Sequence, residues 1–317
     1  MKLRRMAAAA AVCTLALTPA GCGKDDDKSA ASEESESPSP SASPDDDDSS
    51  SDEESASPSP SAFPSFGSST SVGKLMKDGK ITIGIKFDQP GIGSKDTKTG
   101  EFSGFDVEIA KIIADRLDID EDKIEFKEAI SANRESLLKK GDVDLVIASY
   151  SITDKRREEV GQAGPYYETG QQLLVREEDK DEITKPEDLK GKKVCAAKGS
   201  TSIDKLDEYD VTKTPFDTYT ECVNQLLKKN VDAVTTDGAI LLGYAAAHEG
   251  ELAVVGDPFS EERYGIGFKK DDDDMCKFLR ATLEAAFEDG SWEDAFEETL
   301  GKSDAATPDK PDLDDDC

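Results

Sequence analysis

One histidine in 317 residues, His248, leaves general acid–base chemistry a single ordinary candidate. It sits in Ala245-Ala-Ala-His-Glu-Gly250, which reads as a helix end where a histidine acts as a cap. No two cysteines stand at C-x-x-C spacing, so neither a metal site nor a dithiol centre is indicated, and no cysteine is placed as a nucleophile. A Gly-x-Ser-x-Gly elbow and a nucleotide-binding glycine loop are both missing. Beyond residue 20 no run reaches the roughly 18 apolar residues that a membrane-crossing helix requires. Lys and Arg number 39 against 70 Asp and Glu, and a net charge of −31 offers phosphates no basic face. These absences weigh against an enzyme and against nucleic-acid binding, and no cofactor is expected.

What is present begins with an N-terminal signal. Lys2, Arg4 and Arg5 precede an apolar run from Met6 to Ala20, the pattern of a secretion signal over residues 1–21. Ala20-Gly21-Cys22 resembles the lipobox of bacterial lipoproteins, although Pro19 stands where Leu is usual. That resemblance implies cleavage before Cys22, lipidation of its side chain and an anchor on the extracellular face of the membrane. From Lys24 to Thr70 thirteen acids face two lysines among Ser and Pro, with almost nothing apolar to bury. Residues 22–70 are therefore expected to form a disordered, extended tether. Residues 303–317 are similarly polar, and mobile unless Cys317 pins them.

With Cys13 in the signal and Cys22 lipidated, four cysteines remain: Cys195, Cys222, Cys276 and Cys317. An even number outside the cell indicates two disulfides, and four cysteines allow three pairings. Cys195 with Cys222 and Cys276 with Cys317 is the favoured set, because each bond closes a short loop within one expected lobe.

The middle of the chain alternates strand and helix. Lys80–Ile85 reads as a strand, Phe105–Leu117 as a helix, Lys123–Phe126 as a strand, Asn133–Lys140 as a helix, Val143–Ala148 as a strand and Asp154–Val160 as a helix. A second series follows, with strands at Gln171–Val175, Lys193–Ala197 and Ala233–Thr235 among helices beginning at Lys185, Thr201 and Cys222. Strand Tyr264–Phe268 and helices Met275–Glu288 and Trp292–Leu300 end the pattern. It predicts an α/β fold of two similar lobes, each a mainly parallel sheet flanked by helices.

The most informative junction is Asp144-Leu-Val-Ile-Ala-Ser-Tyr-Ser-Ile-Thr-Asp-Lys-Arg156. An apolar strand runs into Ser149 and Ser151, Thr153 caps the next helix, and Arg156 follows. Hydroxyls, free backbone N–H groups at a helix start and a guanidinium together suit a carboxylate.

From Lys80 to Gly301 the chain resembles the polar amino-acid-binding branch of the bacterial ABC-transporter solute-binding proteins, and within it the glutamate-binding lipoproteins of actinobacterial type. The stretches that carry this are Ile83-Gly-Ile-Lys-Phe-Asp-Gln-Pro90, Phe102-Ser-Gly-Phe-Asp106, Ser131-Ala-Asn-Arg134, Ser149-Tyr-Ser-Ile-Thr153, Gly164-Pro-Tyr-Tyr167, Lys198-Gly-Ser-Thr-Ser202, Asp232-Ala-Val-Thr-Thr-Asp237 and Arg263-Tyr-Gly-Ile-Gly267. The resemblance implies a periplasmic-binding-protein-like fold whose lobes, residues 71–166 with 264–302 and residues 167–263, are joined by two crossing strands. It implies a monomer that holds a free amino acid in the cleft and serves ABC permease and ATPase subunits. It places Arg156, Ser149 and Ser151 on the α-carboxylate, helped by Thr201 and Ser202, and Asp237 on the ammonium. Lys86 and Arg134 are the cations for an acidic side chain, with Ser131 and Lys198 as further hydrogen-bond donors. Glutamate is expected on this ground; aspartate, glutamine and asparagine are the alternative ligands. A dehydratase or lytic glycosidase of the same fold, or a sensor module, are the alternative functions.

Overall fold

The computed structural model describes residues 63–303 and 308–317. The expected signal peptide, Cys22 and the tether as far as residue 62 lie outside the described residues. Residues 63–70 depart from the expected tether, because Phe63 and Phe66 set their rings edge-on against Phe278 with centroids 6.0 and 5.8 Å away. Thr70 then caps helix α1 (Ser71–Asp78) by accepting from the Gly73 amide.

The chain continues through β1 (Ile81–Ile85), a small sheet of β2 (Asp88–Gln89), β3 (Gly93–Lys95) and β4 (Phe102–Ser103), then α2 (Phe105–Arg116), β5 (Ile124–Glu128), α3 (Arg134–Lys140), β6 (Leu145–Val146), α4 (Asp154–Arg157) and β7 (Gly161–Thr169). After Gly170 a second series runs through β8 (Gln171–Arg176), β9 (Lys193–Cys195), α5 (Thr201–Lys205), β10 (Thr212–Lys213), α6 (Tyr219–Leu227), β11 (Ala233–Asp237), α7 (Gly238–Ala247) and β12 (Leu252–Val255). Strand β13 (Glu262–Phe268) returns to the first lobe, where α8 (Asp273–Asp289) and α9 (Ser291–Glu298) follow.

The first sheet has the order β5-β1-β6-β13-β7 and the second β10-β9-β11-β8-β12. In the first, β1 is parallel to β5 and β6, while β13 is antiparallel to both β6 and β7. In the second, β9 is parallel to β10 and β11, while β8 is antiparallel to both β11 and β12. Each lobe thus keeps four strands in one direction and reverses one, the mainly parallel sheet that the strand–helix alternation predicts. The reversed strands are next to the crossings: β7 and β13 pair from Gly161↔Phe268 to Thr169↔Glu262, and β8 starts pairing with β11 at Gln171↔Asp237. Buried Ile109 and Ile113 of α2 pack in the first lobe, Val223 and Leu226 of α6 in the second. Trp292 of α9 is buried and donates its indole N–H to the Tyr166 carbonyl at 2.7 Å, tying α9 to β7.

Several elements differ from the sequence reading. Helix α4 is a single turn rather than Asp154–Val160, because the chain must turn into β7 at Gly161; Arg157 donates to the Gln162 carbonyl at 3.1 Å across that turn. A one-turn helix lends little macrodipole, so whatever favours an anion at its start comes from local N–H groups. Strand β7 carries Gly161, Gly164 and Pro165, which hide it from a β-propensity reading.

The disulfides are Cys195–Cys222 and Cys276–Cys317, with Cα separations of 5.5 and 6.0 Å. The first ties β9 to α6; the second pins the C-terminus to α8. Residues 308–317 are consequently docked: Asp314 accepts from Arg157 (2.8 Å) and Arg263 (2.6 Å), its amide donates to the Gly164 carbonyl (2.8 Å), and the Gln162 amide donates to the Cys317 carbonyl (3.2 Å). Replacing Cys276 and Cys317 together by serine is expected to lower the unfolding free energy by about 4 kcal/mol on the loop-closure model, given their separation of 41 residues. Guanidinium unfolding checks this; a loss under about 1 kcal/mol would mean that ion pairs and hydrogen bonds alone hold the tail.

Candidate functional site

The end of β6 is held open by a residue that the sequence reading left out of the site. Asp106, buried in the first turn of α2, accepts from the Ser149 amide at 2.8 Å and from the Tyr166 hydroxyl at 2.6 Å. Burial pushes its carboxyl up to about 6, against the lowering effect of those two donors. Ser149 itself has φ +43°, a left-handed conformation that costs a serine energy and is kept here by the Asp106 bond. This turn aims the Ser149 carbonyl at Arg134, whose Nη1 donates to the carbonyls of Ala148 (3.0 Å) and Ser149 (3.2 Å).

Arg134 is 2 % exposed and Arg156 is 8 % exposed. Arg156 donates from Nη1 to the Ser151 carbonyl (2.6 Å) and from Nη2 to the Gly199 carbonyl of the other lobe (3.2 Å). Both guanidiniums lie over the Tyr150 ring. Burial lowers Arg134 to about 10, with the neighbouring Arg156 charge adding to the effect. Lys86 is buried and donates to Ser131 Oγ at 2.8 Å. Burial, then Arg134, lower it to about 7. It therefore reaches the cavity through the Ser131 hydroxyl rather than directly.

Across the cleft, Asp237 ends β11. Its Oδ2 accepts from the Tyr264 hydroxyl of β13 at 2.6 Å, and its buried Oδ1 has no partner in the protein. Burial, then Glu262, push its carboxyl up to about 7. Glu262, also missed in the sequence, accepts from Gln171 (2.6 Å) and from the Thr201 hydroxyl (2.9 Å) and so ties both crossings to α5. Ser202 donates to Thr236 Oγ1 at 3.4 Å and accepts from the Tyr219 hydroxyl at 3.3 Å. Lys198 is the one expected ligand residue that the structure turns away: its exposed ammonium pairs with Asp217 at 3.0 Å, since Gly199, not Lys198, faces the first lobe. At Gly199 φ is +73° and a Cβ would fall 2.9 Å from Ala132 Cα, so only glycine permits this approach. Asp88 of β2 makes a second bridge, accepting from the Tyr219 and Thr220 amides at the start of α6 (2.9 and 3.2 Å).

Ser131, Arg134, Ser149, Ser151, Arg156, Thr201, Ser202 and Asp237 converge on one small cavity, with Ser200, Tyr219, Thr236 and Ile240 completing the wall. Two guanidiniums, one carboxylate and a ring of hydroxyls fit a small solute carrying charges of both signs.

Two α/β lobes shut on a small polar cavity define a solute-binding protein. Residues 81–302 match the bacterial extracellular solute-binding proteins, family 3, and the chain belongs to that family. It is 43 % identical over 239 residues to the glutamate-binding protein GluB of Corynebacterium efficiens, covering 72 % of this chain and 81 % of the relative. It is 38 % identical over 224 residues to the ABC transporter glutamine-binding protein GlnH of Bacillus subtilis, covering 70 % and 81 %. Among solved structures, an ancestral arginine-binding protein bound to glutamine aligns with a TM-score of 0.66 at 34 % identity, covering 70 % of this chain and 98 % of that one. The protein is a solute-binding component of the amino-acid-transport type.

Asp237 carries a measurable cost. A buried carboxyl raised from 3.8 to about 7 gives stability that is complete below 3.8 and lost as pH rises through about 7. Asp237→Asn is therefore expected to raise the Tm of the ligand-stripped protein by several degrees at about pH 8, with the gain gone by about pH 4. Scanning calorimetry at both pH values tests this; equal Tm at the higher pH would mean that the buried charge costs nothing.

Proposed function

We propose that this chain is a lipid-anchored binding component of an ABC importer that takes glutamate from outside the cell and presents it to a membrane permease. The observation that carries the reading is the pair of buried guanidiniums, Arg134 and Arg156, facing a buried carboxylate whose Oδ1 has no partner in the protein. Buried polar atoms without partners are rare and call for an occupant. An amino acid supplies one: its α-carboxylate on Arg156 with Ser149, Ser151, Thr201 and Ser202, its ammonium on Asp237, and its side-chain carboxylate on Arg134 with Ser131 polarised by Lys86. Arg134 and Arg156 belong to the first lobe and Asp237 to the second, so the ligand's contacts to both are complete only when the cleft is shut. That differential contact is what shifts the population to the closed form. The acidic chain is tethered through Cys22, and the shut lobes form the face that the permease and its ATPase subunits read.

Glutamine in this site leaves a buried guanidinium without an anion, a loss of a few kcal/mol, whereas aspartate differs by one methylene, about 1–3 kcal/mol. Calorimetric titration of ligand-stripped protein is expected to rank glutamate first, aspartate next, and glutamine and asparagine weaker by roughly a hundredfold or more. Glutamine binding as tightly as glutamate would sink the dicarboxylate assignment and leave an amide-binding protein.

Proton linkage provides a second check. Below about 7 the free protein holds Asp237 protonated, and a bound ammonium expels that proton. Above about 7 it holds Lys86 neutral, and a bound anion draws a proton onto it. Titrations in buffers of different ionisation enthalpy are expected to show net proton release at about pH 6 and net uptake at about pH 8. Asp237→Asn removes the release and Lys86→Met the uptake; a single sign across the range contradicts the assignment of these two groups.

A further inference from the structure

Tyr150 stands between Ser149 and Ser151 in sequence yet is buried behind the cavity wall, outside the ligand space. The guanidinium carbons of Arg134 and Arg156 lie 4.4 and 5.0 Å from the centroid of its ring. Its hydroxyl donates to Glu135 Oε1 at 2.8 Å, and the same carboxylate oxygen lies 3.5 Å from Arg156 Nε. The ring also rests on β13: a Cβ at Gly267 would fall 2.7 Å from Tyr150 Cε1. One aromatic ring thus serves two like charges and is itself fixed by a carboxylate and by a glycine of the crossing ribbon.

We propose that Tyr150 is the positioning residue that holds Arg134 and Arg156 side by side and thereby gives the site its preference for a ligand with two carboxylates. Like charges repel, as the effect of Arg156 on Arg134 shows, and without a restraint the two guanidiniums separate toward solvent. The negative face of an aromatic ring attracts both at once without neutralising either, which a carboxylate in its place would do. Glu135 sets the ring's rotation through the hydroxyl and steadies Arg156 from the rim of the cleft. Arg134 keeps its full charge for the ligand, Arg156 shares part of its charge with Glu135 at 3.5 Å, and the ring that carries both is a rigid group with few rotatable bonds. This inference rests on the reading of the cavity as an amino-acid site.

The test is made on the full chain, with glutamate and glutamine affinities and Tm measured for each variant. Tyr150→Phe keeps the ring and is expected to hold glutamate affinity within about threefold, while Tyr150→Leu loses about tenfold or more for glutamate and less for glutamine. In an Arg134→Gln background, Tyr150→Leu is expected to cost no more than about threefold, because the repulsion between two guanidiniums that the ring restrains is gone. Should Tyr150→Leu fail to fold, phenylalanines carrying one, two and three fluorines at position 150 keep the ring's shape while draining its negative face. Glutamate affinity is expected to fall with each fluorine at constant Tm. An additive double mutant, or an affinity flat across the fluorine series, overturns the proposal and leaves Tyr150 a packing residue. Wild-type protein that prefers glutamine overturns the glutamate reading instead, and the series is then scored on the amino acid it holds most tightly.

Discussion

Charge buried in a cleft that excludes water is the constraint on which the rest of this structure depends. Lys86, Asp106, Arg134, Arg156 and Asp237 are all below a tenth exposed, and an isolated ion at that depth is expensive. The fold meets most of that cost internally. Asp106 is satisfied by an amide and a phenol, Arg134 and Arg156 by strand-end carbonyls and an aromatic face, and Lys86 by a hydroxyl. Asp237 is left half satisfied, and burial, then Glu262, push its carboxyl up. The deficit is on the second lobe while the surplus of positive charge is on the first, so a ligand that answers both must touch both lobes.

The crossing ribbon is wired into that imbalance. Tyr264 of β13 donates to Asp237, Glu262 at the start of the same strand holds Thr201 and Gln171, and Gly267 seats the Tyr150 ring. Residues lining the cavity therefore bond directly to residues of the crossing strands, so a change in cleft charge is felt by those strands. The tail adds a restraint on the first-lobe side, where Asp314 joins Arg263 of β13 to Arg157, the residue after Arg156. A tail cross-linked to α8 fixes the end of α4 and one end of the ribbon against a single body.

Much of this was legible in the sequence where the signal is local. Period-two and period-3.6 runs gave the alternation of strands and helices, and the Ser149–Arg156 junction named a strand end and a cation that the structure brings to one cavity. Asp237 was legible as a carboxylate at a strand end. The misses are non-local. Nothing near Asp106 says that its partner is the amide of Ser149, and nothing near Glu262 points to Thr201. Lys198 looked like a site lysine because it precedes Gly199-Ser-Thr-Ser202, but the tight approach belongs to the glycine and the lysine is left outside with Asp217. Phe63 and Phe66 were hidden in an acidic, proline-rich context and acquire meaning only beside Phe278.

The acidic surface and the cationic cavity act over different distances. A net charge of −31 repels an anionic ligand from afar, but salt at physiological strength screens exposed charges beyond about 8 Å. Inside the cleft the guanidiniums act at contact distance in a medium far less polar than water, where the same charge counts for several times more. Much of the chain's acid is also remote from the cleft in sequence, with thirteen carboxylates in the stretch expected to serve as a tether. An acidic composition is thus no bar to the anionic ligand proposed above, because the sign of the surface and the sign of the site are set by different residues over different ranges.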